Sequence, residues 1–398
     1  MILALVFGTA SSAKPIFQKF YRFVPSILLC YFIPAILSSL GLISAEASNL
    51  YHVTSRYLLP ACLVLLTLSV DLKSVLRLGP KMLIMFFTGA AGIVLGGPLA
   101  ILAVSFFSPE TVAGEGPDSV WRGLTTVAGS WIGGGANQAA MKEIFNVGDS
   151  IFGTLVAVDV LVANLWMAVL LLMAGNAKEI DRLNGADSSD IEALRRRMEE
   201  YKSQIDRIPT LADTMKVLAA GFGVTALAHL GGDYLSQTIE NAYPSLARFS
   251  LTSSFFWIVV IATTGGLLLS FTPARRLEGA GASRIGSVFL YLLVASIGMK
   301  MNIASVVDSP GLYLVGFIWI SFHALLLLIV GKLIKAPVFF LAVGSQANIG
   351  GAASAPIVAS AFHPALAPVG VLVAVVGYAL GTYGAWLCGQ LMRAVAPM

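Results

Sequence analysis

The chain has 398 residues, of which 57% are hydrophobic and only 12% are charged, and its mean hydropathy is +0.84. Soluble domains carry about 25% charged residues, so this chain has too few polar groups to cover its surface in water. We therefore expect it to lie in a lipid bilayer. Its net charge of +4 gives no reason to expect nucleic acid as a partner.

Apolar stretches long enough to cross a bilayer follow one another along the chain, in two groups separated by a polar stretch. The first nine residues are apolar but too short to cross, and we interpret them as the end of a truncated first helix. With this short segment, each group has six members. The other segments fall at 25–43, 57–70, 80–107, 121–145 and 151–174, and then at 210–232, 253–272, 285–299, 310–334, 337–361 and 366–392.

The polar stretch 176–209 has the pattern of an amphipathic helix. Residues 189–192 match a capping box, and apolar residues then recur every three or four positions over 191–205. We expect this linker to lie on the cytoplasmic surface of the membrane. It would join a first repeat, 1–175, to a second repeat, 210–398.

The two halves resemble each other in sequence. Residues 153–158 and 370–375 are identical at five of six positions, GTLVAV against GVLVAV. The pairs 129–130 and 344–345 are both Gly-Ser, and each opens a cluster rich in Gly, Ala and Asn. Chance similarity between apolar helices is the alternative, but the matched order of these features favours an old duplication.

The distribution of basic residues distinguishes two topologies. If every segment crossed, the strongly basic stretch 176–209 would lie outside, against the tendency of Lys and Arg to stay on the cytoplasmic side. If 121–145 and 337–361 are instead re-entrant hairpins, most of the Lys and Arg residues fall inside. Each half then has about five crossings and one hairpin. The sequence therefore predicts an all-α polytopic membrane protein built as an inverted repeat.

Glycines and amides mark both predicted hairpins as a binding site. A glycine run is a poor helix, at about 1 kcal/mol per Gly relative to Ala, and a broken backbone at membrane depth is tolerated only inside protein or beside a wet cavity. Close helix packing is the alternative explanation. Lys142 and Glu143 are expected to form the solvated end of the first hairpin. The predicted substrate-binding residues are Ser130, Gly133, Gly134, Gly135, Gln138, Ser345, Gln346, Gly350 and Gly351, with Tyr378 and Thr382 on the last span.

Asp159 lies near the middle of the span 151–174, where a carboxylate costs about 2.5–3.5 kcal/mol. Its counterpart in the second half is Val376, so the acidic group breaks the symmetry of the repeat. This pattern favours a site for a coupling ion, which we expect to be sodium. The alternative is a buried ion pair or a hydrogen bond to a hairpin amide. The predicted ion-binding residues are Asp159, Thr154, Asn137 and Asn348, with Asn164 as a further source of oxygen.

These motifs resemble those of an uncharacterised membrane family called domain of unknown function 819. The resemblance rests on Ser-Trp-Ile-Gly-Gly at 130–134, Ala-Asn at 136–137, Ala-Asn-Ile-Gly-Gly at 347–351 and Gly-Tyr-Ala-Leu-Gly-Thr-Tyr at 377–383. It implies a membrane protein without a settled substrate. More distantly, the layout is similar to sodium/glutamate and sodium/citrate symporters and to sodium/proton antiporters. That likeness implies a homodimer in which a domain carrying the site moves like an elevator against a scaffold.

The sequence thus predicts a secondary active transporter of a bacterial inner membrane, a sodium-coupled symporter of a small organic solute. A sodium/proton antiporter is the alternative. No arginine marks an anion site in the hairpins, which argues against a dicarboxylate substrate. The moving domain would comprise both hairpins with 151–174 and 366–392, and the scaffold and dimer contact would comprise 25–43 and 253–272.

Two other classes of protein are less consistent with the sequence. An intramembrane enzyme needs a nucleophile with a base, or a pair of aspartates. No histidine is predicted near Ser130 or Ser345, and no second aspartate is predicted near Asp159, so we expect no enzymatic activity. We likewise expect no cofactor beyond the ion. A receptor without transport activity would bind its ligand and give no flux.

Overall fold

The computed structural model describes residues 1–21, 24, 26–45, 47–186, 191, 209–301 and 309–397. Within these ranges the chain is helical and has no β-strand, which confirms the prediction of an all-α membrane protein. Five of the described helices are long and apolar enough to cross a membrane, or up to seven if two bent pairs each form one span. The predicted linker helix lies almost entirely outside the described residues, so the boundaries of the two repeats stay a prediction.

The first half follows the predicted order of segments. The crossing predicted at 57–70 starts earlier, at Leu50, because a π-helical turn, Thr54–Leu58, joins two α-helices end to end. The helices are α1 (Ile2–Ala10), α2 (Pro15–Tyr21), α3 (Ser26–Ser39), α4 (Leu50–Val53), α5 (Leu59–Leu68), α6 (Leu72–Leu76), α7 (Pro80–Ser105), α8 (Pro109–Val112), α9 (Val120–Ile144), α10 (Asp149–Gly175) and α11 (Ala177–Asn184).

The second half opens with a capped helix. The Thr210 hydroxyl accepts the N–H of Asp213 at 3.2 Å, and the Asp213 carboxylate accepts the N–H of Thr210 at 3.1 Å. This helix continues ten residues past its predicted end at 232. The helices are α12 (Leu211–Ala242), α13 (Ser254–Ser270), α14 (Ala282–Gly298), α15 (Pro310–Leu333), α16 (Val338–Ile349), α17 (Gly351–Phe362) and α18 (Ala367–Val395).

Helix packing follows the predicted duplication. In chain order, α3 corresponds to α13, α5 to α14, and α7 to α15. The structure packs α3 against α14 and α5 against α13, while α7 packs against its own counterpart α15. Two copies of one unit related by a pseudo-twofold axis exchange partners in this way.

The segment α9 is folded back on itself. Gly134 has φ 71° and ψ −175°, a conformation that glycine adopts far more readily than other residues, and it divides α9 into two arms. At the open end the N–H of Gly148 donates to the carbonyl of Pro117 at 2.8 Å. The Arg122 guanidinium also donates to the carbonyl of Phe145. Both ends of α9 therefore lie together, and α9 is a re-entrant hairpin, called hairpin 1 below.

Helices α16 and α17 form the second hairpin, called hairpin 2. The chain reverses at Gly351, which has φ 58°. Gln346 Nε2 on the first arm donates to Ser354 Oγ on the second arm at 2.7 Å. At the open end the rings of Phe339 and Phe362 pack edge to face, with their centroids 5.3 Å apart. The structure thus has a re-entrant hairpin at both predicted positions.

Helix α10 shows that the hairpins enter from opposite sides. It starts at Asp149, beside the open end of hairpin 1. The helix that follows it brings the Asp181 carboxylate to 2.8 Å from the N–H of Val338, at the open end of hairpin 2. The 27 residues of α10 extend about 40 Å, which separates the two open ends by a membrane thickness. The tips meet between them, because a β-carbon on Gly351 would lie 4.0 Å from Gly134 Cα.

The loops that follow α5 and α13 contact each other. Asp71, after α5, caps α6 by accepting the N–H of Ser74 at 3.1 Å and pairs with Arg275, after α13. Burial opposes ionisation of Asp71, but the bonds from Ser74 and Arg275 outweigh it, and the pKa of this carboxyl is lowered. On the opposite face Lys300 Nζ lies 4.1 Å from the centroid of the Tyr51 ring.

Candidate functional site

Asp159 is buried against hairpin 1, with 6% of its surface exposed. Trp131 Nε1 donates to Asp159 Oδ1 at 2.6 Å, and Gln138 Nε2 donates to Oδ2 at 2.8 Å. The Ser130 hydroxyl also interacts with this carboxylate. Behind it, the Tyr31 hydroxyl donates to Gln138 Oε1 at 3.3 Å. The carboxylate thus joins both arms of hairpin 1 to α10.

The partners of Asp159 leave it able to take up a cation. No basic side chain of the described residues lies within 4.0 Å of this carboxylate, so its charge is met by N–H and O–H donors alone. A carboxylate offers about four lone-pair positions, and neutral donors do not neutralise its charge. The hydrogen bond to a hairpin amide, the alternative considered from the sequence, is present at Gln138.

Asn137 joins hairpin 1 to the last helix. Its Nδ2 donates to the carbonyls of Gly133 and Tyr378, both at 3.0 Å, and its Oδ1 accepts the Thr382 hydroxyl at 2.7 Å. Thr263 Oγ1 of α13 lies 3.1 Å from Thr382 Oγ1. Both the nitrogen and the oxygen of the Asn137 amide are therefore hydrogen-bonded to α18.

Hairpin 2 is held by a buried serine and histidine. His323 is fully buried on α15, and its Nε2 lies 2.8 Å from Ser345 Oγ. Trp166 Nε1 of α10 donates to the same oxygen at 2.8 Å, and His323 Nδ1 lies 2.9 Å from the carbonyl of Gly89. The expectation that Ser345 has no histidine nearby was wrong, because α15 packs its mid-span histidine against the first arm of hairpin 2.

Two amide oxygens of hairpin 2 are buried without a donor from the described residues. Asn348 Nδ2 donates to the carbonyls of Phe86 and Gly344, each at 2.9 Å, which leaves Asn348 Oδ1 unpaired. Gln346 Oε1, near the tip, is unpaired in the same way. Buried polar oxygens normally have a partner, so these two are candidates to accept a ligand or an ordered water.

The tip of hairpin 1 faces α3 and α14. Gly134 and Gly135 are partly exposed, and the Tyr378 ring lies 3.5 Å from the β-carbon position of Gly134. Ile27 of α3 and Leu290 of α14 lie 3.4 Å and 3.6 Å from the β-carbon position of Gly135. A small solute between the tips and these helices would contact both hairpins.

The open end of hairpin 1 is an ion-pair cluster, where a solvated end was expected. Lys142 is 6% exposed, and its Nζ lies 2.8 Å from Asp149 Oδ1. Glu143 is 12% exposed, lies 3.6 Å from an Arg56 nitrogen and accepts the hydroxyl of Tyr51. The expectation was wrong because α4 and the π-helical turn after it cover this end with polar side chains that pair with it.

The predicted ion-binding set is divided in the structure. Asp159 bonds to Gln138 and not to Asn137 or Asn348, which contact α18 and α7 instead. The Thr154 hydroxyl donates to the carbonyl of Ser150 at 3.3 Å, one turn earlier on α10. The predicted substrate residues Ser130 and Gln138 are the ones that meet Asp159, while Ser345, Gln346 and the tip glycines lie in hairpin 2 or at the tips. The contributing residues that the sequence analysis missed are Tyr31, Trp131, Trp166, Thr263 and His323.

Three of the missed residues carried a recognisable signal. A tryptophan inside a membrane segment needs an acceptor for its N–H, and both Trp131 and Trp166 find one in a predicted site residue. A histidine in mid-membrane is by default a candidate functional group, which describes His323. Tyr31 and Thr263 gave no such signal, because only the packing of α3 and α13 against hairpin 1 and α18 places them at the site.

Fold and site together define an α-helical membrane protein in which two broken hairpins enter from opposite sides and meet around buried polar groups. The chain belongs to the family described as protein of unknown function (DUF819), whose model matches residues 1–395. This confirms the resemblance seen in the hairpin motifs. The chain is also similar to the uncharacterized membrane protein YjcL of Bacillus subtilis (strain 168). The two are 23% identical over 361 residues, which cover 87% of this chain and 85% of that protein.

Proposed function

We propose that this protein is a secondary active transporter that couples the movement of a small solute to a cation, with sodium as the expected ion. The observation that carries the proposal is the meeting of the two hairpin tips at Gly134 and Gly351. The arms on either side of a break have backbone groups without intrahelical partners, available to a solute. Hairpins that enter from opposite sides give such a site two routes of access.

Asp159 supports the assignment of a cation. Hard cations prefer oxygen ligands, and a carboxylate is the strongest of these in a protein. The charge of Asp159 is otherwise held in a low-dielectric region by neutral donors only, so a bound cation would neutralise it. Sodium at this position would also contact hairpin 1 through Ser130, which lets ion binding fix the conformation of the hairpin.

The packing of the helices supports an elevator movement. Both hairpins pack mainly against α7, α10 and α18, and α15 packs against α7 and α10, whereas α3, α5, α12, α13 and α14 pack mainly against one another. The first group would be the moving domain, and the second would be the scaffold and the homodimer contact. Fewer contacts join the groups, among them Gly135 with Leu290. Such an interface is one that can slide.

A sodium/proton antiporter is the second candidate. It is favoured by the same feature of Asp159, since a buried carboxylate without a basic partner can exchange a sodium ion for a proton. Among the described residues the hairpin tips have no basic side chain near them, so a symported solute would be neutral or cationic. Proton flux in vesicles that contain no organic solute would favour the antiporter.

The coupling ion is tested by thermal unfolding of the purified protein. We expect sodium chloride to raise the melting temperature by several degrees relative to potassium chloride or choline chloride at equal ionic strength. A ligand at 100 times its dissociation constant stabilises the folded state by about 2.7 kcal/mol. Equal melting temperatures in the three salts would contradict sodium coupling. A screen of neutral and cationic metabolites in sodium chloride then selects the solute.

The elevator is tested by tethering the two groups. In the double variant Gly135→Cys, Leu290→Cys, a short reversible thiol cross-linker is expected to stop uptake of the selected solute into liposomes. Reduction should restore that uptake. The matched control is Phe339→Cys, Phe362→Cys, which tethers the two arms of hairpin 2 within the moving domain. If the tether across the two groups leaves uptake unchanged, the groups do not slide.

A further inference from the structure

The partners of His323 determine where its proton lies. The carbonyl of Gly89 can only accept, so His323 Nδ1 carries the hydrogen, and in the neutral ring Nε2 is then an acceptor. Ser345 Oγ, 2.8 Å from Nε2, must therefore donate its hydrogen to the ring. The same oxygen accepts the N–H of Trp166, which can only donate. Each group in this series of hydrogen bonds thus has one assigned role, as donor or as acceptor.

The same arrangement can accept one more proton without losing a hydrogen bond. If hydronium gives its proton to the lone pair of Nε2 and leaves as water, one O–H bond breaks and one N–H bond forms. The new N–H then donates to Ser345 Oγ, and the serine hydroxyl turns away from the ring. A serine in a helix can donate to the carbonyl four residues earlier, which here belongs to Leu341. No buried donor is left without an acceptor.

A positive charge on His323 has one counter-charge available. Of the elements packed around this ring, α7 contributes Gly89 and hairpin 2 contributes Ser345, neither of which is charged. Helix α10 contributes Trp166 and, seven residues earlier, Asp159. Seven residues are nearly two turns, so both side chains lie on one face of α10, about 10 Å apart along its axis. Among the described residues in contact with these elements at this depth, Asp159 is the one acid.

We propose that His323 and Ser345 form a proton-binding site of the transport cycle, the counterpart in hairpin 2 of the Asp159 site in hairpin 1. Sodium at Asp159 removes the counter-charge that a protonated His323 needs. The proton and the sodium ion therefore compete although they bind to different residues. This coupling rests on the proposed function, whereas the protonation of His323 itself does not.

The proton site is tested by nuclear magnetic resonance of the protein with ¹⁵N-labelled histidine in lipid nanodiscs. The chain has four histidines, and His323→Gln identifies the signals of His323 by their loss. We expect an unprotonated Nε2 at neutral pH and conversion to imidazolium on acidification while the protein stays folded. In Ser345→Ala the Nε2 signal shifts, because its donor is gone. His229→Gln, outside this cluster, leaves the signals of His323 unchanged.

Two results would overturn the proton site: a hydrogen on Nε2 at neutral pH, or a ring that stays neutral until the protein unfolds. If His323→Gln does not fold, Ser345→Ala still tests the assignment, since it leaves the imidazole in place. An unchanged Nε2 signal in that variant would show that the hydroxyl does not donate to the ring.

The competition is tested by the sodium concentration that gives half of the thermal shift. Through the pH range in which His323 becomes protonated, we expect this concentration to rise about tenfold, because a positive charge on the ring opposes a second cation at Asp159; a tenfold rise corresponds to about 1.4 kcal/mol of repulsion between the two cations. In His323→Gln it should stay constant, and an unchanged rise in that variant would refute the competition. If sodium gives no shift at any pH, the proposed sodium coupling fails, and the imidazole titration decides the proton site alone.

Discussion

The variant Asp159→Asn is expected to lose the sodium-dependent rise in melting temperature while keeping the fold. An asparagine retains one oxygen for the N–H of Trp131, but it has no charge to neutralise a cation. Its amide nitrogen would face Gln138 Nε2, a donor, so Gln138 must turn, and Tyr31 then has to accept from Nε2 instead of donating to Oε1. We expect a loss of about 1–3 kcal/mol in unfolding free energy from this rearrangement, in addition to the lost ion effect.

The matched control for this variant is Asp233→Asn, the same chemical change on the exposed surface of α12, where the carboxylate accepts the Ser254 hydroxyl at 2.5 Å. Its sodium response should equal that of the wild type. Asp159→Ala should be less stable than Asp159→Asn, because it leaves the N–H groups of Trp131 and Gln138 without acceptors. A full sodium shift in Asp159→Asn would remove Asp159 from the ion site.

Gly134→Ala is expected to disrupt the tip of hairpin 1. The backbone at Gly134 has φ 71° and ψ −175°, where an alanine is strained by about 1–3 kcal/mol. Relief of that strain has to move the tip away from Gly351, so transport should fall by more than the change in stability explains. The measurements are the melting temperature of the purified protein and uptake of the selected solute in liposomes.

The neighbouring residue supplies the control for the tip. Gly135 has helical backbone angles, and a β-carbon there would lie 3.4 Å from Ile27 Cδ1, an ordinary contact. Gly135→Ala should therefore leave stability unchanged or raise it, by up to about 1 kcal/mol from helix propensity. Equal losses in Gly134→Ala and Gly135→Ala would mean that the strained backbone angle is not what matters at this tip.

The fold was predictable because its main signals are local. Apolar length located the spans, and the glycine runs at 133–135 and 350–351 located both hairpin tips to within a residue. The basic residues identified which segments had to be re-entrant, since a long polar stretch on the wrong side would violate a strong charge bias. Helix ends were less accurate: α12 continues ten residues beyond 232 because polar residues there still face one side of a helix.

The pairing of side chains was less predictable, because it depends on the rotation of each helix about its own axis. The sequence identified Asp159 as a costly buried charge, but the identity of its donors follows from how hairpin 1 leans against α10. The same holds for Lys142 and Glu143, which look like a solvated end until α4 covers them. His323 looked isolated in the sequence, and its partner Ser345 lies 22 residues away on another element.

Helix α10 sets different limits on insertions and deletions along the chain. Asp159 contacts hairpin 1 and Trp166 contacts hairpin 2, so the seven-residue interval between them fixes both their spacing and their shared direction. One added residue would turn one side chain by about 100° relative to the other and separate it from its hairpin. The loop at 106–119 is limited in a different way, because Pro117 and Asp118 accept the N–H groups of Gly148 and Ile151 at the open end of hairpin 1. Length changes are therefore excluded between Asp159 and Trp166, whereas in the loop 106–119 they have to preserve only the contacts at the open end of hairpin 1.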